Sequence, residues 1–205
     1  RPERARLEQR LGIRDRAGRG GRHATAAAGA LSVVMPCYNE EATVVACIER
    51  VLASPFAGQL IVVDDCSTDR TLALASSVDD ERIEIVSLPE NGGQGAAVRA
   101  GLQRAKKQFA IVQDADLELT PTDWPGILAP LVEDRADVVY GSRYLAAGPR
   151  SGGSFRGYLA NRFLTTLSNI TTGLHLTDME TCYKAFRTDI VSSLNLREDR
   201  FGFEP

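Results

Sequence analysis

Residues 31–40 read LSVVMPCYNE, a short apolar run that ends at Pro36 and is followed at once by polar side chains. A run of this length that ends at a proline predicts a buried β-strand. Similar short runs, apolar or alternating, predict four further strands over residues 60–64 (LIVVD), 82–86 (RIEIV), 109–113 (FAIVQ) and 137–141 (DVVYG).

Apolar residues at helical spacing separate these runs. They predict three helices over residues 40–52, 67–78 and 95–106, the second of which opens with Ser-Thr-Asp, residues suited to cap a helix. Residues 155–172 predict a longer amphipathic helix, and residues 177–187 are expected to return to the sheet. Strands that alternate with helices indicate an α/β fold, a Rossmann-like sandwich whose mostly parallel central sheet is flanked by helices.

Polar clusters follow four of the predicted strands. Right-handed crossovers bring the carboxyl ends of parallel strands to one edge of the sheet, where such folds bind ligands. Each cluster alone could be a turn, but their common position predicts a binding site. The clusters are residues 38–40, 64–65, 91–95 and 114–116.

Asp114 and Asp116 stand two residues apart directly after a fully apolar strand. In extended backbone such residues share a face, so their carboxylates repel each other unless a cation lies between them. Oxygen ligands of this kind suit Mg²⁺ or Mn²⁺. Glu118 would continue the same face if the chain stays extended, and could add a ligand. A polar turn that caps the next helix is the alternative.

Residues 91–95 read NGGQG and could be mistaken for a dinucleotide-binding fingerprint. They follow the third predicted strand rather than the first, and Val98 occupies the place of the third glycine. A glycine-rich turn at a helix start can still seat an anion, although a tight turn that needs positive φ explains the glycines equally well.

The composition fits one domain and no nucleic-acid partner. The chain has 205 residues with a formal net charge of -3. Residues 1–29 are rich in Arg and Gly and poor in large apolar residues, so we expect a disordered arm, either solvated or weakly attracted to anionic lipids. Residues 146–154 are expected to form a mobile loop. Residues 30–205 then form the folded domain, which we expect to continue beyond Pro205.

Histidine and cysteine offer little further chemistry. Only His23 and His175 are available as imidazole ligands, and the four cysteines show no Cys-x-x-Cys spacing. Zinc is therefore not indicated, and reduced, mostly buried thiols are expected. No apolar stretch approaches the ~20 residues of a membrane span.

Five segments together resemble family 2 glycosyltransferases of the GT-A fold, and dolichyl-phosphate mannose synthases and bacterial polyprenyl-phosphate relatives in particular. They occur in the family's order, and TDMETCYKAFR over residues 177–187 supports the same branch. The five segments are VVMPCYNEE (33–41), VVDDCSTDRT (62–71), NGGQGAAVR (91–99), QDAD (113–116) and GSRY (141–144).

The resemblance implies a metal-dependent, inverting transfer of a hexose, mannose or glucose, from GDP-mannose or a UDP-hexose to a polyprenyl phosphate at the cytoplasmic face of a membrane. It implies that Mg²⁺ or Mn²⁺ on the donor diphosphate is held by Asp114, Asp116 and Glu118. The implied donor-binding residues are Pro36, Tyr38, Glu40, Asp65, Gln94 and Asp114; Asp116 and Arg143 are catalytic, and Arg143, Arg156 and Arg162 bind the acceptor phosphate. Arg143 comes at the end of the fifth predicted strand, which we expect to lie next to the strand that carries Asp114.

Two departures from the family pattern and three alternative functions are kept open. Gln94 stands where the family usually has Lys, and Glu118 where many mannose synthases have Gln. A hydroxyl acceptor on a soluble molecule or glycan would need a carboxylate base, for which Asp178 and Glu180 are candidates, although we favour a structural role for both. A nucleotidyltransferase would share the metal chemistry, but no basic glycine-rich loop follows the first strand. A domain that binds without catalysis is a third class.

Overall fold

The computed structural model describes residues 27–144 and 155–193. The predicted loop over residues 146–154 lies outside this range, and so does the predicted arm up to residue 26. The last residues assigned to the arm belong to the folded domain instead, since Ala27 is buried and the Gly29 N–H donates to the Pro55 carbonyl oxygen at 3.0 Å.

The elements alternate as the sequence predicts. In chain order they are β1 (Leu31–Cys37), α1 (Val44–Leu52), β2 (Ala57–Asp64), α2 (Thr71–Ser76), β3 (Ile83–Ser87), α3 (Gln94–Leu102), β4 (Phe109–Val112), a 3₁₀ turn (Pro121–Asp123), α4 (Trp124–Val132), β5 (Val138–Tyr140), α5 (Phe155–Thr172), β6 (Lys184–Arg187) and α6 (Thr188–Ser193).

In the described part of the chain the strands form one sheet in the order β3-β2-β1-β4-β6-β5. β1 runs parallel to β2 and β4, and β2 runs parallel to β3, whereas β6 runs antiparallel to β4 and β5. The predicted α/β fold with a mostly parallel sheet is therefore confirmed. We expected Arg143, at the end of β5, to lie next to the strand that carries Asp114; this was wrong, because β6 lies between β4 and β5.

Both faces of the central strands are buried, which explains why their sequences are apolar throughout rather than alternating. Val33 and Met35 of β1 face the cluster that includes α1 and α4, while Val34 faces the cluster that includes α3. α3 lies very close to β1, because a Cβ added to Gly101 would lie 2.3 Å from Val34 Cγ1. Only glycine fits at this crossing.

α2 begins four residues later than its predicted cap. Asp69 Oδ1 accepts hydrogen bonds from the Thr71 amide at 2.9 Å and from the Thr71 hydroxyl at 2.5 Å. Ser67 and Thr68, predicted as part of the cap, instead contact Asn39: the Asn39 amide donates to Ser67 Oγ at 3.0 Å, and the Thr68 amide donates to Asn39 Oδ1 at 2.8 Å. These bonds join the loops that follow β1 and β2.

α5 has the predicted bounds, but many of its large apolar side chains are exposed: Leu159, Phe163, Leu164, Leu167 and Ile170. None of the helices within the two described ranges combines the length and apolar character that crossing a bilayer requires.

Candidate active site

A cleft of about 540 Å³ opens at the carboxyl edge of the parallel strands. The loops that follow β1, β2, β3 and β4 all contribute to it, so the four polar clusters of the sequence do meet at one place. Its lining residues are Pro36, Cys37, Tyr38, Glu40, Asp65, Asn91, Gly93, Gln94, Ala97, Asp114, Ala115, Asp116 and Cys182.

The two carboxylates after β4 both line this cleft. Asp114 is half-buried and Asp116 is exposed. β4 ends at Val112, and the backbone turns at Leu117, whose φ is 67°. The chain therefore does not stay extended as far as Glu118, whose own amide donates to Asp116 Oδ1 at 2.9 Å. The condition on which Glu118 was expected to share the face of the pair is not met, and Glu118 is not among the lining residues.

Within residues 27–144 and 155–193, no three Asp, Glu, His or Cys side chains come together in a cluster that could hold a metal ion. Two carboxylates are nevertheless a sufficient protein contribution for Mg²⁺, which commonly binds through one or two carboxylates and completes its octahedron with waters and substrate phosphates. Asp114 and Asp116 on one wall of an open cleft fit that pattern.

Asp65 organises the glycine-rich loop between β3 and α3. Its buried carboxylate accepts the Gly92 amide on Oδ1 and the Gly93 amide on Oδ2, each at 2.8 Å, and its carbonyl oxygen accepts Asn91 Nδ2 at 3.1 Å. Gly93 has φ 84°, which favours glycine, and it directly precedes α3. The tight turn with positive φ is thus present, and it presents the start of α3 to the cleft.

Gln94, the first residue of α3, connects this loop to the carboxylate pair. Its Nε2 donates to Asp114 Oδ1 at 3.2 Å. A lysine here would place a positive charge beside Asp114, whereas glutamine donates a hydrogen bond to the carboxylate without adding a charge.

The wall after β1 carries the three residues predicted to meet the nucleotide. Pro36, Tyr38 and Glu40 all line the cleft, and Tyr38 has 48% of its surface exposed. Glu40 Oε2 accepts the Thr43 hydroxyl at 2.7 Å, and the Glu40 amide donates to Thr71 Oγ1 at 2.7 Å. A largely exposed aromatic ring beside a fixed carboxylate offers stacking and hydrogen bonding to a base.

Some cleft residues were missed by the sequence analysis. Cys37 and Cys182 line the cleft, and burial, with Asp64 nearby, raises the pKa of the Cys37 thiol, which keeps it protonated. Beneath the carboxylates, the Tyr183 hydroxyl donates to Gln113 Oε1 at 3.0 Å, and Gln113 Nε2 donates to the Asp114 carbonyl oxygen at 3.1 Å. These contacts join strands that are distant in sequence, so no local pattern indicates them.

Arg143 lies outside the lining of the cleft and is held by Asp178. Its Nε and Nη2 donate to the two Asp178 carboxylate oxygens at 2.8 and 2.9 Å, and Asn161 Nδ2 donates to Asp178 Oδ1 at 2.7 Å. Burial alone would raise the pKa of Asp178, but the hydrogen bonds from Arg143 and Asn161 outweigh it, and the pKa is lowered. Those bonds also raise the pKa of Arg143, whose side chain stays 50% exposed.

Two tyrosines join Arg143 to a second predicted phosphate ligand, Arg162. The Arg143 guanidinium lies 5.8 Å from the Tyr144 ring, and the Tyr144 and Tyr158 rings are 5.1 Å apart, edge to face. The Arg162 guanidinium lies 6.0 Å from the Tyr158 ring. The described residues thus bring Arg143 and Arg162 to one surface, while the side chain of Arg156 lies outside them.

Comparison with known proteins agrees with this geometry. The family model described as "Glycosyl transferase family 2" matches residues 32–194. The dodecaprenyl-phosphate galacturonate synthase of Rhizobium johnstonii is 32% identical over 182 residues, which are 85% of this chain and 53% of that protein. The polyprenol monophosphomannose synthase of Mycolicibacterium smegmatis is 28% identical over 170 residues, 80% of this chain and 64% of that protein. The chain thus spans about half to two thirds of the length of these relatives.

Among solved structures, glucosyl-3-phosphoglycerate synthase from Mycobacterium tuberculosis in complex with Mn²⁺, UDP-glucose and phosphoglyceric acid superposes with a TM-score of 0.71. It is 26% identical, and the match covers 92% of this chain and 67% of that one. The sheet, the carboxyl-edge cleft and a family match over most of the residues lead to one conclusion: the chain belongs to glycosyl transferase family 2.

Proposed function

We propose that this chain transfers a hexose, mannose or glucose, with inversion from a nucleoside-diphosphate sugar to a polyprenyl phosphate. The observation that supports this most is the joint placement of the Asp114–Asp116 pair and the Asp65-organised loop on one cleft in a family 2 chain. The two relatives compared above are named for products of this kind, a galacturonate and a mannose carried on polyprenyl phosphates.

In the proposed donor site, Asp114 and Asp116 hold Mg²⁺ or Mn²⁺ against the diphosphate, with Glu118 as a more distant candidate ligand. When bound, the cation stabilises the charge of the departing nucleoside diphosphate as a Lewis acid. Gln94 keeps Asp114 oriented. We assign to Asp116 a catalytic role, the electrostatic stabilisation of the transition state.

The base and ribose are assigned to the part of the cleft lined by Pro36, Tyr38 and Glu40. Asp65 remains a candidate ligand for the base or ribose. Each of its carboxylate oxygens accepts one backbone amide and retains a second lone pair, so a ligand N–H or O–H can still donate to it.

The proposed acceptor side consists of Arg143 and Arg162, with Arg156 as a further candidate. A phosphate monoester is mostly ionised at neutral pH, because its second pKa is about 6, so it needs no general base. It needs orientation and a counter-charge, which guanidinium groups give through paired donors. Arg143 keeps half of its surface exposed, and because its Nε and Nη2 donate to Asp178 and to the Glu180 carbonyl oxygen, we assign the phosphate contact to its Nη1.

A hydroxyl acceptor is the second candidate, because the M. tuberculosis structure holds phosphoglyceric acid beside UDP-glucose. Such an acceptor needs a carboxylate base. Asp178 is poorly suited to that role, since Arg143 and Asn161 occupy its oxygens and hold its pKa low. This contact argues against Asp178 as the base and leaves Glu180 as the candidate base for a hydroxyl acceptor. The family match favours glycosyl transfer over nucleotidyl transfer.

The relatives are named for different sugars, namely galacturonate, formamido-arabinose and mannose. We propose GDP-mannose or a UDP-hexose as donor, and the cytoplasmic face of a membrane as the place of action, since the donor is water-soluble and the acceptor is a lipid.

The test is a thermal-shift screen of nucleotide sugars with Mn²⁺, followed by transfer assays on a short polyprenyl phosphate and on phosphoglyceric acid. We expect one donor to stabilise the chain only with the metal, and its sugar to reach the polyprenyl phosphate. Transfer to phosphoglyceric acid alone would establish the second candidate. Release of pyrophosphate from a nucleoside triphosphate would contradict both.

A further inference from the structure

Helix α5 turns an apolar face toward solvent. Leu159, Phe163 and Ile170 keep 59%, 68% and 75% of their surface exposed. At 3.6 residues per turn these positions lie on one side of the helix. Leu167 and, just beyond the helix end, Leu174 are also about half exposed. A soluble monomer rarely exposes a continuous apolar patch of this kind without a function.

The opposite face of α5 is polar and buried. Asn161 and Thr165 are 2% and 5% exposed, and the Thr165 hydroxyl donates to Asn161 Oδ1 at 2.8 Å. Asn161 also donates to the buried Asp178 carboxylate, and the Met179 amide donates to Thr165 Oγ1 at 3.2 Å. These bonds fix the rotation of the helix, so the outward position of its apolar side is part of the fold.

The charge of the surrounding segment is one-sided. Residues 155–177, which include α5, contain Arg156 and Arg162 and no Asp, Glu or Lys. Arg162 is exposed on α5 itself and lies over the Tyr158 ring. A basic helix with a large apolar side is suited to lie in the interface of a membrane that contains anionic lipids.

We propose that the exposed apolar face of α5 (Leu159, Phe163, Leu167, Ile170) docks the chain on an anionic membrane surface. This deepens the proposed function and rests on it, because the acceptor would be a lipid of that membrane. Charge decides against a second copy of the chain as the occupant. Two such faces packed together would bring two helices that carry only positive charges side by side, whereas anionic headgroups are complementary to those charges.

The same hydrogen bonds link this face to the acceptor residues. Asp178 accepts bonds from Asn161 of α5 and from Arg143 at once. A helix lying in the interface would therefore hold Arg143 near the level of the headgroups, where a lipid phosphate is found. Docking and phosphate recognition are coupled through one buried carboxylate.

The test measures co-sedimentation of the 205-residue chain with vesicles of phosphatidylcholine and phosphatidylglycerol in equal parts, and with phosphatidylcholine alone. We compare it with Phe163→Ser/Ile170→Ser, with Ile170→Ser alone, and with the matched control Val138→Ser, an exposed apolar residue on the edge strand β5. The Arg-rich arm is present in every variant, so its own attraction to lipid cancels.

We expect the double substitution to weaken binding to anionic vesicles about 30-fold, as partial loss of two large apolar contacts implies. Ile170→Ser should weaken binding about fivefold, Val138→Ser should have no effect, and added salt should weaken binding of the unsubstituted chain. Circular dichroism and melting temperature should be unchanged, because the substituted side chains make no buried contacts.

Unchanged vesicle binding in a folded double variant would overturn the proposal, as would an unsubstituted chain that stays off anionic vesicles. A dimer in sedimentation velocity that the double substitution dissociates would assign the face to a second copy instead. Transfer to a short polyprenyl phosphate free in solution should persist in the double variant. If no variant, including the unsubstituted chain, transfers sugar while vesicle binding is intact, the proposed function is contradicted and the docking surface is still supported.

Discussion

Replacing Asp65 with Asn tests how the donor loop is built. The buried carboxylate of Asp65 accepts the amides of Gly92 and Gly93, one on each oxygen. Asn keeps a single acceptor oxygen and would turn its NH₂ toward the other amide, so one bond is lost and one donor is left facing a donor. A hydrogen bond to a charged group contributes about 1.5–3 kcal/mol, and an unsatisfied buried donor costs about 1–3 kcal/mol. The glycines are half-buried, so water can reach the orphaned amide, and we expect a cost near the lower limit of the combined range, about 2–3 kcal/mol.

The assay is urea unfolding followed by circular dichroism, with Asp79→Asn as the matched control because Asp79 is exposed. For a slope near ~2 kcal/mol per molar urea, the midpoint of Asp65→Asn should fall by about 1–1.5 M. Nucleotide-sugar affinity should fall as well, measured far below the midpoint, since the loop loses its shape before the fold does. A loss under about 0.5 kcal/mol, the usual range for surface substitutions, would refute the assigned role of Asp65.

Three further substitutions test the acceptor side and the core. The folded pKa of Asp178 lies below its unfolded value, so its stabilising effect is present at neutral pH and is lost as pH falls through the folded pKa. Asp178→Asn should therefore lower the free energy of unfolding by about 2 kcal/mol at pH 7, less than for a fully buried pair because Arg143 can be rehydrated. The same substitution should flatten the acid limb of the stability–pH curve. An acid limb identical to that of the unsubstituted chain would disprove this. Arg143→Ala should raise KM for the acceptor while the Kd of the donor changes little; equal loss of both would move Arg143 to the donor side. Gly101→Ala should lower the free energy of unfolding by about 1–3 kcal/mol through the clash with Val34 Cγ1, and a neutral result in thermal unfolding would mean that α3 can shift.

Sequence patterns predicted the strands well where both faces of the sheet are buried. The central strands β1, β2 and β4 are mostly apolar because both faces of the sheet are covered, and that signal needs no tertiary information. α4 was missed because Pro125 and Pro130 interrupt its sequence, yet it forms over Trp124–Val132 with Trp124 fully buried. Tertiary packing there outweighs a weak local preference.

The candidate site was predicted unevenly, for a physical reason. The sequence predicted that the polar clusters after four strands lie together, because the carboxyl ends of parallel strands share one edge of the sheet. Other features depend on contacts between residues 35 or more positions apart. These are the order of β5 and β6, the pairing of Arg143 with Asp178, and the hydrogen bond from Tyr183 to Gln113. Local sequence carries no record of such contacts. The positive φ at Leu117, which ends the extended backbone before Glu118, was likewise not predicted from the sequence.

The central claim is that Asp114 and Asp116 hold a divalent cation on the donor diphosphate, and calorimetric titration of Mn²⁺ with UDP or GDP present tests it most directly. Loss of a supporting outer-shell residue commonly weakens metal binding about 10–100-fold, so Asp116→Ala, which removes a ligand, should weaken it at least ~10²-fold. Asp79→Ala, which removes an exposed acidic residue outside the cleft lining, should leave it unchanged. Mn²⁺ binding that is as tight in Asp116→Ala as in the unsubstituted chain would contradict the account.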